Sequence, residues 1–149
     1  MKKLVLLFVL FQSLTFFAQA QTTTQKVYAT IVNNQPEALQ ALLAAGADAN
    51  APVVMVSGFP TTFLILAAGK GQLELVKILV KYKAQIDKPD SFNATALMAA
   101  ADQGSAEVTA FLLASGANPT ARDNDGKDVL AHAKESGSSD VVKLIHKAK

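Results

Sequence analysis

The sequence predicts an all-α fold, a solenoid of about four helix-turn-helix units joined by short hairpin-like tips. Three observations predict it. Residues of different classes recur at a spacing of 33: Leu64, Leu97 and Leu130; Gly71, Gly104 and Gly137; the acids Glu74, Glu107 and Asp140. Each unit places a short oxygen-bearing side chain before an apolar helical run and a glycine after it. A second apolar run at helical spacing then follows each acid. A fixed repeat of about 20–50 residues marks stacked units, none of which can bury its apolar face alone.

The chain opens differently. Lys2 and Lys3 give a positive start, Leu4 to Phe11 is an unbroken apolar run, and Ala18-Gln19-Ala20 ends the segment with small residues at the −3 and −1 places. This is the layout of a secretory signal over residues 1–20, cut between Ala20 and Gln21. A membrane-spanning helix needs roughly 20 apolar residues, and Gln12, Ser13 and Thr15 interrupt this run. Residues 21–26 are polar, Thr/Gln-rich and without an apolar period, so they read as a flexible lead-in to a repeat domain over 27–149.

The first unit, about 27–51, is degenerate. Val27 precedes Gly46 by the 19 residues that separate Leu97 from Gly116, and Asn34 takes the helix-ending place. Leu39, Leu42 and Leu43 supply its second-helix stripe. In the units at about 52–88, 89–121 and 122–149, Thr62, Thr95 and Asp128 stand where a side-chain oxygen can satisfy orphan N–H groups of a first helix. Gly71, Gly104 and Gly137 end those helices in a left-handed conformation. Glu74, Glu107 and Asp140 complement the positive end of each second helix. Leu75, Ile78 and Leu79, then Val108, Phe111 and Leu112, then Val141, Leu144 and Ile145 form the buried stripes. The small Ala67, Ala68, Ala100, Ala101 and Ala133 let successive first helices lie close together. Val27 to Leu64 spans 37 residues, so four have been inserted, within 50–61.

Thr95-Ala96-Leu97-Met98-Ala99-Ala100-Ala101, with Gly104, Glu107-Val108, Leu112-Leu113 and Gly116-Ala117-Asn118-Pro119-Thr120-Ala121, resembles the ankyrin repeat. Gly46-Ala47-Asp48-Ala49-Asn50-Ala51 and Leu64-Ile65-Leu66-Ala67-Ala68 resemble parts of it. The Pro and His that follow the opening Thr in that family are absent from every unit, which weakens the turn that this His supports. Lys83 occupies a place that Gly46 and Gly116 fill elsewhere, putting a side chain on a left-handed site.

Half of the 149 residues are apolar and none is cysteine, which excludes disulfides, a thiolate nucleophile and thiolate zinc sites. The formal charge of +2 comes from Lys2 and Lys3; beyond residue 20, twelve basic residues face twelve acidic ones. Such a balance offers no electrostatic footprint for nucleic acid or anionic lipid. No phosphate loop, HExxH, GxSxG or metal-spaced cluster occurs. Asp128, His132 and Ser136 share one side of a helix, but the outer two lie about 12 Å apart along it, so they read as a cap, an exposed helix position and a helix end. Asp123-Asn124-Asp125-Gly126 looks like the start of a calcium loop but lacks a Glu at the twelfth place, where Lys134 stands. No cofactor, metal or catalytic residue is expected.

The resemblance implies a concave partner-binding face built from the tips, 51–61, 88–93 and 121–127, and from the exposed first-helix places Ala29, Leu66, Ala99 and His132. Val53 to Pro60 is apolar where a solvated loop should be polar, which marks either a contact site or a segment packed on its own repeat with Phe59 as its plug. Val54, Met55, Phe59, Leu66, Phe92, Arg122, Asp125 and His132 are the candidate contact residues. A non-catalytic, monomeric module that binds an unknown protein partner in a bacterial envelope is expected, periplasmic or secreted, with no membrane insertion after signal cleavage. The alternatives are a secreted factor acting on a host or competitor protein and, more remotely, an enzyme.

Overall fold

The three first helices begin where a side-chain oxygen meets a free backbone N–H. Thr62 accepts from Ile65 N (3.1 Å), Thr95 from Met98 N (3.4 Å) and Asp128 from Ala131 N (3.0 Å). In the computed structural model, which describes residues 22–54 and 58–148, they head α3 (Phe63–Gly69), α5 (Ala96–Asp102) and α7 (Val129–Glu135). Their partners are α4 (Leu73–Lys81), α6 (Ala106–Ala114) and α8 (Ser139–Ala148). The first unit comprises α1, helical over 22–32, and α2 (Pro36–Ala44), which begins at a proline whose missing N–H is an orphan in any helix. The segment read as a signal, including Ala18, Ala20 and Gln21, lies outside the described residues, as does Met55.

Residues 22–26, expected as a flexible lead-in, are helical instead. Val27 and Ile31, one turn apart and 1% and 0% exposed, pin α1 to the core. Extending a helix that is already nucleated costs little, so the polar residues before Val27 follow it.

α3, α5 and α7 pack in succession; α2, α4, α6 and α8 form a second row behind them. Each first helix also packs on its own second helix, α3 on α4, α5 on α6 and α7 on α8. Ala67, Ala68, Ala100, Ala101 and Ala133 are fully buried, as the close approach of the first-helix row requires. A continuous core joins them to Leu39, Leu75, Leu79, Leu97, Leu112 and Ile145. Phe111 and Leu144 are only half-buried, so each outer stripe is narrower than its sequence spacing suggests.

Lys83 has φ +67°, in the left-handed region that Gly46 and Gly116 occupy at the equivalent helix ends. Its side chain is exposed, and the termination is completed by Ala84 N donating to Leu79 O (2.9 Å). At Gly104 the requirement is twofold: φ is +71°, and a Cβ there would stand 3.3 Å from that of Ser138.

The tips connect each second helix to the first helix of the next unit. Val53–Val54 (β1) and Pro60–Thr61 (β2) form a two-residue antiparallel ladder, Val53 opposite Thr61 and Val54 opposite Pro60. The later tips are held by aspartates. Asp90 Oδ1 accepts from Phe92 N (2.8 Å) and Ala94 N (2.9 Å), and Asp123 Oδ1 accepts from Asp125 N (3.0 Å) and Lys127 N (2.9 Å). Adjacent tips are also joined, Ser91 N donating to Pro60 O (3.2 Å) and Asn124 N to Phe92 O (3.0 Å). These aspartates supply the turn bonds that the missing motif histidine was expected to leave weak.

Candidate partner-binding face

The insertion builds an apolar corner at the tips. Alternation along β1 sends Val53 inward, 5% exposed, and Val54 outward, 67% exposed. Phe59 and Phe92, on neighbouring tips, are 48% and 52% exposed, with ring centroids 5.1 Å apart and planes tilted by 45°. Offset or tilted aromatic pairs of this kind add about 0.5–1.5 kcal/mol beyond the area they cover. Phe59 is therefore not the plug of the insertion; among its described residues Val53 is the buried one. The segment both packs on its repeat, through Val53, and presents a surface, through Val54 and the two rings.

Leu66, on the exposed side of α3, is half-buried and packs against the core edge, and Ala99 follows on α5. Arg122 and Asp125, on the third tip, are exposed. The Arg122 guanidinium donates to Gly126 O, closing its own tip. Val54, Phe59 and Phe92 thus share one corner, while Arg122 and Asp125 belong to the far tip.

His132 departs from expectation. It is 8% exposed, not an open helix position. Its Nδ1 lies 2.8 Å from Asp102 Oδ1, at the end of α5, and its Nε2 lies 3.0 Å from Asp123 Oδ2, in the tip. The carboxylates close over the ring from opposite edges and remove it from the surface. Burial works to raise the Asp123 pKa, but the Lys127 N–H, the His132 ring and the Asp125 N–H outweigh it and hold this carboxyl below its ordinary value. Lys127 is held above its usual range, first by its hydrogen bond to Glu135 at 2.8 Å and then by the nearby charges of Glu135, Asp125 and Asp123.

The other two members of the i, i+4, i+8 set behave as read. Asp128 caps α7, and Ser136 donates to Ala133 O (2.9 Å) at its end. Among the described residues no three His, Asp or Glu side chains gather as metal ligands, and no helix is long and apolar enough to cross a membrane. Asp90 and Asp123 organise the tips and Asp102 holds the His132 ring, roles that the motif residues do not announce. Asp90 and Asp123 could have been found, since they too are 33 apart; Asp102 has no counterpart to point to it.

A search among curated proteins returns no match to the chain. A family model described as ankyrin repeats (3 copies) matches residues 27–123 and, in a second register, 64–149. The matched span is the stack described above, with its capped first helices, left-handed helix ends and connecting tips. The chain belongs to the ankyrin-repeat family, whose repeats are protein–protein interaction modules.

Proposed function

We propose that this protein is an exported, non-catalytic module that binds a partner protein through its concave face, with the 51–61 tip as the principal contact, in a bacterial envelope or beyond it. The observation that carries the reading is the solvent-facing Phe59–Phe92 pair beside Val54. Large exposed side chains clustered on adjoining loops are costly to leave wet, and such patches on monomers commonly serve as contact sites. Aromatic residues also contribute disproportionately to binding energy. Export rests on the three-part layout of residues 1–20. Action as a monomer is supported by the polar outer face of α8, where Lys143, His146 and Lys147 are exposed.

The experiment is in-compartment crosslinking of tagged protein, comparing wild type with Phe59→Asp, Phe92→Asp and Met55→Asp. The expected result is a discrete crosslinked species lost in the first two variants while their thermal stability stays near that of wild type. Undiminished capture in every variant would remove the tip from the interface. The mature N-terminus should be Gln21; a chain isolated with Met1 retained would refute export.

A further inference from the structure

Both ring nitrogens of His132 face carboxylate oxygens, at 2.8 Å and 3.0 Å. A neutral imidazole carries one N–H and one lone pair; only the doubly protonated ring donates from both edges. With a neutral ring, one of the two contacts therefore sets a lone pair against a carboxylate. The His132 and Asp123 side chains are both 11% exposed, so water cannot readily replace a bond lost between them, whereas Asp102 is 54% exposed and can turn to solvent, releasing the ring from the end of α5.

We propose that His132 is a pH-dependent latch that ties the third tip and the terminal unit to the body of the stack, closed while the imidazole is doubly protonated and loosened once it loses a proton. The three joined parts differ: Asp102 ends α5 in the preceding unit, His132 sits in α7, and Asp123 organises the tip by accepting from Asp125 N and Lys127 N. Opening either contact uncouples parts that the repeat packing alone must then hold.

The charged surroundings reinforce the direction. Asp102 approaches from α5 and Asp123 from the tip. Asp125 and the Lys127–Glu135 pair lie further along the same tip and helix, and Asp128 caps the ring's own helix. On the far side of α7, α8 turns Val141 and Ile145 toward the core. The two groups touching the ring are both acids. Sign follows from this: the latch contributes stability while the ring carries two protons, and that contribution disappears once it has lost one. The proposal does not require the partner-binding reading; it makes the geometry of the Arg122–Lys127 tip responsive to pH whether or not that tip meets a partner.

The test measures folding equilibria by urea denaturation and protection of the Asp125 and Lys127 amides at pH 5.5 and pH 8, corrected for intrinsic exchange. The proteins are wild type, His132→Gln, Asp123→Asn and, as control for the other histidine, His146→Ala. From pH 5.5 to pH 8, wild type and His146→Ala should lose roughly tenfold in folding equilibrium and tip protection relative to His132→Gln, the scale of one charge-assisted hydrogen bond. Asp123→Asn is the sharper probe. Its carbonyl can still accept from the tip amides, while its amide donates to Nε2, so a neutral ring satisfies both neighbours and the pH response should vanish. Parallel behaviour of wild type and His132→Gln, or an unchanged response in Asp123→Asn, would overturn the latch.

Discussion

Replacing Lys83 with glycine should stabilise the protein, and the size of the gain can be worked from the backbone. Lys83 holds φ +67° at the end of α4, where the L-configuration costs roughly 1–2 kcal/mol because its Cβ crowds the following carbonyl. Glycine removes that cost, but it also loosens the unfolded chain, offsetting about 0.4–1 kcal/mol. Nothing else of note changes. The side chain is exposed, and the bonds made by Lys83 N to Val80 O (3.0 Å) and by Asn50 Nδ2 to Lys83 O (2.9 Å) involve only backbone atoms of residue 83. The net gain is about 0.5–1 kcal/mol. With an unfolding entropy of about 2 cal/mol/K per residue, this raises Tm by about 2–4 °C for a domain of this size. The assay is thermal unfolding followed by circular dichroism, with Lys83→Ala alongside. Alanine removes the charge while keeping the Cβ, so it should leave Tm unchanged or slightly lowered. A Lys83→Gly protein no more stable than Lys83→Ala would show that the left-handed site is not strained, and would remove the basis for equating Lys83 with Gly46 and Gly116.

Three further changes test the packing and the electrostatics. Ala100→Leu forces a larger side chain between α5 and its neighbours at a fully buried position, and should cost about 1–3 kcal/mol in urea denaturation; a neutral result would mean the first helices are not closely apposed. Thr109 in α6 is fully buried and its hydroxyl has no hydrogen-bond partner among the described residues, so the near-isosteric Thr109→Val should raise stability by about 1 kcal/mol, read as a shifted urea midpoint. Acid should loosen the third tip: because the Asp123 carboxyl is held below its ordinary value, its contribution is present above the unfolded carboxylate range of about pH 4 and is lost as pH falls through the folded value. Protection of Lys127 N, followed by hydrogen exchange between pH 5 and pH 2, should therefore fall in wild type and change less in Asp123→Asn.

The stack was legible in the residues because its determinants are local and repeat. Thr62, Thr95 and Asp128 each cap the helix that begins at the next residue, so their role needs no knowledge of the rest of the molecule. Left-handed helix ends can be read in the same way, even at Asn34 and Lys83, where no glycine marks them. A period of 33 in caps, glycines and acids then specifies side-by-side stacking, since each unit leaves an apolar face that only its neighbour can cover.

What tertiary structure alone decided lies where units meet. Among the described residues of the insertion Val53 is buried and Phe59 is not, because the β1–β2 register chooses which alternate side chain faces inward, and composition carries no register. Residues 22–26 joined α1 because Val27 and Ile31, further along, gain enough from burial to hold the helix that precedes them. His132 was an open helix position by spacing alone. It became a buried bridge because α5 delivers Asp102 to one edge of its ring and the third tip delivers Asp123 to the other, two carboxylates drawn from different units, and no periodicity within one helix encodes that meeting.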